Sequence, residues 1–129
     1  MEIKKFEAKV NGGARFFQTQ AVFDADALAR FMERAKGFNR PVLAGILLVK
    51  SAKMARYMNE HVWGITVPDS IIARFESAKD RRAECVAATS ELIRSVFHSA
   101  DGIHLYALGW EDLVPEILKE SGIATAGVR

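Results

Sequence analysis

Apolar positions along this chain follow two alternating rhythms. Short continuous apolar runs are separated by stretches in which apolar residues recur every three or four positions. Over 2–11, Ile3, Phe6 and Val10 share one helical face, and Gly12-Gly13 ends the pattern. Residues 15–20 predict a first strand. Asp24 then caps a helix on which Leu28, Phe31, Met32 and Ala35 recur at the spacing of one buried face, with Gly37 as its stop. Pro41 opens a second strand over 42–49, apolar on both sides as in a sheet covered by helices. Gly45 inside it predicts close approach of another backbone or of a ligand. Ser51 caps a short helix to about residue 59. A short third strand is expected at 64–67, and Pro68 fits the first turn of a helix carrying Ile71, Ile72 and Phe75. A longer helix is predicted over 80–98, a turn at Asp101-Gly102 and a fourth strand over 103–108. The last helix spans 111–121, where Pro115 fits only if the helix starts late.

These units imply an α/β fold of about four strands alternating with helices, with crossovers long enough for parallel pairing. Four such units make half of a (β/α)8 TIM barrel or a small open sheet, and periodicity alone does not choose. No linker composition divides the chain, so residues 1–129 read as a single partial domain.

Composition narrows the functional classes. Eighteen basic against 16 acidic residues leave a net charge of +2. That balance argues against a dedicated nucleic-acid binder, which would carry a dense basic face. Cys85 is the single cysteine, which excludes an internal disulfide and fits a reducing cytoplasm. Its place in a helical pattern makes it a small buried apolar residue rather than a reactive thiol. No apolar run approaches the roughly 20 residues of a membrane span, and no secretory core follows Met1. The expectation is a cytoplasmic protein with no membrane or nucleic-acid partner.

The candidate chemistry lies at strand ends. Gln18 and Gln20 share a strand parity and therefore a face, while Thr19 points the other way. An amide donates and accepts at once, which suits a ring with mixed edge groups such as a pterin or a flavin. An internal structural network is the other reading, because an unsatisfied buried amide costs about 1–3 kcal/mol. Tyr106, near the end of the fourth strand, is placed to stack on a flat ligand or simply to pack, and His104 shares its parity. Lys9, just before the Gly-Gly turn, could hold a phosphate as a point charge or remain solvated. His61, His98 and His104 lack metal-ligand spacing, so no metal site is expected. No phosphate-binding glycine loop and no nucleophile–base pair is present, so no catalytic residue is assigned.

Five pieces in order resemble the methylenetetrahydrofolate reductases. Lys9-Val10-Asn11-Gly12-Gly13-Ala14 is similar to the family's Lys-Val-x-Ala-Gly-Ala, and Gln18-Thr19-Gln20 with Phe23-Asp24 follows it. Pro41 to Ile46 resembles the next strand, Ile65-Thr66-Val67-Pro68 the short seventh strand, and Gly102 to Tyr106 the last. The resemblance implies the carboxyl-terminal half of a barrel that binds FAD at the carboxyl ends of its strands. There NAD(P)H reduces the flavin, which reduces 5,10-methylenetetrahydrofolate to 5-methyltetrahydrofolate in one-carbon metabolism. It further implies that Gln20 contacts the pterin and nicotinamide substrates in turn, that Tyr106 lines the same site, and that Lys9 and Glu2 belong to the flavin shell. Met58 stands where the family has a substrate-stacking aromatic, and Trp110 where a polar or basic residue follows the last strand. The family's general acid and most flavin contacts belong to the first half. The chain is therefore expected to be inactive alone and to pair with a first-half chain or a second copy. The alternative is a non-catalytic half-barrel that binds folate, flavin or a protein partner.

Overall fold

Phe6, fully buried, is the centre of the first packing unit. In the computed structural model, which describes residues 3–123, it sits on α1 (Ile3–Asn11). Its ring lies 4.2 Å from that of Phe17, at the start of β1 (Phe17–Ala21), and packs edge-on against Phe31 and Phe38. Phe31 belongs to α2 (Ala25–Ala35), whose N-cap is Asp24; the Asp24 carboxylate accepts the Ala27 N–H at 3.0 Å. Gly37 does not end this helix as expected. The chain continues through a 3₁₀ turn, Lys36–Phe38, and stops at Asn39, which takes a left-handed φ of 53°. Asparagine tolerates that conformation better than most residues, so it terminates the helix as a glycine would.

The second strand, β2 (Val42–Leu47), is the middle of a three-stranded sheet of order β1-β2-β3, with β3 at Gly102–Tyr106. Both pairings are parallel, as the long crossovers require. Val42, Ala44, Ile46 and Leu48 face the helices and are almost entirely buried. Against them pack α3 (Ala52–His61), α4 (Asp69–Ser77), α5 (Arg81–Val96) and α6 (Val114–Ser121), through Ala55, Phe75, Ile93, Val96 and Ile117 among others. Ser51 caps α3 by accepting the Met54 N–H at 3.0 Å. Pro115 sits in the first turn of α6, because the α-helix proper begins only at Val114, after a 3₁₀ turn. Proline has no N–H to lose there. No helix among the described residues is long and apolar enough to cross a membrane.

The expected strand at 64–67 corrects to a segment outside the sheet, and the described residues contain three strands, not four. The cause is a side chain. Asn59, at the end of α3, accepts the Val67 N–H at 2.6 Å and donates its amide to the Val67 carbonyl at 3.0 Å. Those are the two backbone groups a neighbouring strand would have bonded, so Val67 is buried without a ladder.

Candidate functional site

The site is built at the carboxyl end of β1, where the ladder is irregular. Phe17 and Gln18 pair with Val42 and Leu43, but Ala21 pairs with Gly45. Three steps along β1 therefore match two along β2, the signature of a bulge. Thr19 fills the gap with its side chain. Its Oγ1 accepts the Gly45 N–H at 2.9 Å, and its hydroxyl donates to the Gln20 carbonyl at 2.7 Å. The ladder resumes where the Val22 N–H donates to the Gly45 carbonyl at 2.9 Å.

The bulge sets what each neighbour faces. Thr19 is buried on the helix side, whereas Gln18 and Gln20 share the opposite face and are exposed. They share a face as their parity requires, and that face is open. Gln20 lines a cavity of about 410 Å³ with Thr19, Ala21 to Asp24, the first turns of α2, and Gly64, Thr66 and Pro68. Its one carboxylate, Asp24, is engaged at the helix cap. Gln20 rests against Gly64, whose φ is +88°.

Tyr106 reaches the same strand end from β3. Its hydroxyl donates to the Thr19 carbonyl at 3.4 Å, and its ring crosses β2 above Gly45. A Cβ at Gly45 would lie 2.6 Å from the Thr19 carbonyl oxygen, 2.8 Å from Tyr106 Cε2 and 3.1 Å from the Gln20 carbonyl oxygen. The close approach expected at Gly45 is thus a backbone and a tyrosine ring. His104 stacks edge-on against Tyr106 at 4.5 Å between ring centroids.

The structure brings Gln20 and Tyr106 to one place, and the other candidates lie elsewhere. Met58 is half-buried on α3 and packs against the main core. Lys9 is exposed in the last turn of α1, which leads away into the start of β1. On the same helix, Lys5 places its Nζ 5.7 Å from the ring of the exposed Trp63. Glu2 lies outside the described residues. Trp110 is flanked by two cations, Lys50 Nζ at 5.4 Å and Arg82 Cζ at 5.1 Å from its ring. Arg82 is also paired with Asp112, and Lys50 donates to the Leu108 carbonyl. No group of three metal-ligating side chains occurs among the described residues. Cys85 is buried, and burial pushes its thiol pKa up.

Three contributors to the site escaped sequence reasoning. Sequence reasoning gives Thr19 a direction and a place in the Gln18-Thr19-Gln20 piece, Gly64 a strand, and Asn59 the approximate end of a helix, but no contact for any of them. The signal for Thr19 is a β-branched hydroxyl between two amides at a strand end, and for Gly64 a glycine next to an exposed tryptophan.

Comparison with known proteins identifies the family to which the sequence belongs. The sequence model of the family described as "Methylenetetrahydrofolate reductase" matches residues 1–122. The chain is similar to methylenetetrahydrofolate reductase 1 of Schizosaccharomyces pombe, with 26% identity over 94% of this chain and 21% of that protein. It is also similar to a probable methylenetetrahydrofolate reductase (NADPH) of Caenorhabditis elegans, with 27% identity over 95% of this chain and 20% of that protein. The chain thus spans about a fifth of the length of these curated relatives. With the family's model matching nearly the whole sequence, the chain belongs to the methylenetetrahydrofolate reductase family.

Proposed function

We propose that this chain is the carboxyl-terminal half of a (β/α)8 barrel that reduces 5,10-methylenetetrahydrofolate to 5-methyltetrahydrofolate with NAD(P)H. The observation that carries this reading is the exposed Gln20 amide at the carboxyl end of β1, lining a cavity of about 410 Å³. Ligand chemistry in parallel barrels is built at that end of the strands. An amide that both donates and accepts matches the mixed edge of a pterin or a nicotinamide carboxamide. Tyr106, with its hydroxyl already held by Thr19, offers a ring edge at the same place. Met58 is the third substrate-side candidate and contributes soft packing rather than stacking.

FAD belongs to the complete barrel in this reading, where it carries the hydride between the two substrates. This chain's residues fit the substrate ring better than the flavin. Of the two flavin-side candidates, Glu2 is not described and Lys9 does not line the Gln20 cavity. The first half of the barrel must therefore supply most of the flavin shell, and the isolated chain gives no turnover. β1 and β3 are the sheet's edges. Unpaired strand edges recruit partners, so a first-half chain or a second copy completes the barrel.

The deciding experiment is equilibrium binding of 5-methyltetrahydrofolate to the chain, followed by the fluorescence of Trp63 and Trp110. Saturable binding that weakens roughly tenfold or more in Gln20→Ala supports the reading, since two lost hydrogen bonds amount to about 1–3 kcal/mol. Absent binding, or binding indifferent to Gln20, favours the non-catalytic alternative. Reductase turnover by the chain alone would overturn its assignment as an inactive half.

A further inference from the structure

The Gln20 amide has a seat, and that seat is a bare Cα. A Cβ built on Gly64 would overlap Gln20 Oε1 and lie 3.2 Å from its Cδ. These atoms are the far end of a flexible side chain. A residue larger than glycine would therefore displace the amide rather than the backbone of β1. The seat itself is held. The Asn59 side chain clamps Val67, three residues beyond Gly64, by both backbone polar groups. The segment that carries Gly64 is thus tied to α3 close to the point where it meets Gln20.

We propose that Gly64 is a positioning residue for Gln20: its missing side chain lets the amide lie inward at the cavity, where the ring of the bound substrate meets it. This rests on the reading that Gln20 recognises the ligand ring. It adds a specificity element from a segment that belongs to neither strand nor helix. The side chain excluded at 64 sets how far the Gln20 Oε1 and Nε2 stand from the cavity wall. That distance decides whether both edge groups of a ring are met at once.

Gly64 also has a φ of +88°, where a Cβ strains the backbone regardless of Gln20. The test must separate the two effects, and a double-mutant cycle does so. Gly64→Ala and Gly64→Asn are each made in the Gln20 and in the Gln20→Ala backgrounds. Asparagine tolerates positive φ, so it keeps a folded variant available if alanine fails. The probe is 5-methyltetrahydrofolate, and the second readout is the Gln20 side-chain amide resonance pair in ¹⁵N spectra of the ligand-free chain. Both substitutions are expected to shift that amide pair and to weaken probe binding about threefold to tenfold, the size of one hydrogen bond. In the Gln20→Ala background the further loss is expected to be less than twofold. An unmoved amide pair, or an equal loss in both backgrounds, overturns the proposal. If the probe fails to bind, or if Gln20→Ala leaves its affinity unchanged, the functional reading fails instead. The amide resonances then decide the seat by themselves.

Discussion

Tyr106 and Thr19 lie on the two edge strands of the sheet and are joined across the strand between them. The Tyr106 hydroxyl donates to the Thr19 carbonyl at 3.4 Å over the bare Cα of Gly45. The bond is long, so its own contribution is at the low end for a hydrogen bond. Tyr106→Phe is expected to lower stability by no more than about 0.5–1 kcal/mol. Gly45→Ala is expected to cost more, because the added Cβ would press on two carbonyl oxygens and a ring that pack it from both sides. Overpacking of this kind costs roughly 1–3 kcal/mol. Urea midpoints at unchanged m-value would rank the two variants. A Tyr106→Phe loss larger than that of Gly45→Ala would mean that the hydroxyl, not the bare Cα, holds the strand end.

Thr19 repairs the ladder with its own side chain, so Thr19→Val is a near-isosteric test of one hydroxyl. The Gly45 N–H would lose its acceptor in a buried position. An unpaired buried donor costs about 1–3 kcal/mol. Thr19→Ser keeps the hydroxyl and is expected to recover most of the loss. A loss in Thr19→Ser as large as that in Thr19→Val would show that the packing of the Thr19 methyl, which serine lacks and valine keeps, matters as much as the hydroxyl.

What the sequence made legible was whatever is determined locally. Asp24 and Ser51 sit where a cap must, and both accept from the N–H three residues on. Pro115 required a late start for the last helix, and α6 starts late. Gln18 and Gln20 share a face because strand parity is a property of the backbone alone. The remainder depended on distant partners. The segment at 64–67 has the apolar alternation of a strand, yet Asn59 takes the two backbone groups that a ladder would need. Helix termination by Asn39 instead of Gly37 turns on which residue enters the left-handed region. The bulge at Thr19 arises only when β1 and β2 come within bonding distance, and the amide seat only when the segment carrying Gly64 packs against Gln20.

Asn59 offers a direct test of that competition. Asn59→Ala removes both bonds to Val67 and is expected to cost about 1–2 kcal/mol. The loss should be local before it is global, because the freed segment has no ladder to hold it. Limited proteolysis is expected to cut within 62–68 faster in the variant, at denaturant concentrations where the rest of the chain stays folded. Asn59→Asp keeps an acceptor for the Val67 N–H but turns a carboxylate oxygen toward the Val67 carbonyl. It should be no better than alanine above the carboxylate's titration range. Full rescue by aspartate would show that the N–H bond alone matters.

Cys85 gives the fold a pH dependence whose sign follows from its burial. The thiol is fully buried on α5, 3.8 Å from the Thr89 hydroxyl, and burial pushes its pKa up, with the Thr89 contact opposing in part. In the unfolded chain a thiol titrates near about 8.5. Above that pH the unfolded state gives up a proton that the folded state keeps, so the unfolded state is favoured increasingly. The stability this group contributes is therefore fully present below about pH 8.5 and is lost as pH rises towards the folded value. The slope of that loss is at most about 1.4 kcal/mol per pH unit. Cys85→Ala removes the titration and introduces a constant cost for the small cavity it leaves. The stability difference between the two proteins should hold steady from pH 7 to 8.5 and then narrow steadily up to pH 10. A difference that stays flat across the whole range would mean that water reaches the thiolate in the folded chain. Cys85 would then be an accessible thiol, and its labelling by a thiol reagent under native conditions would be fast instead of limited by opening of the α5 packing.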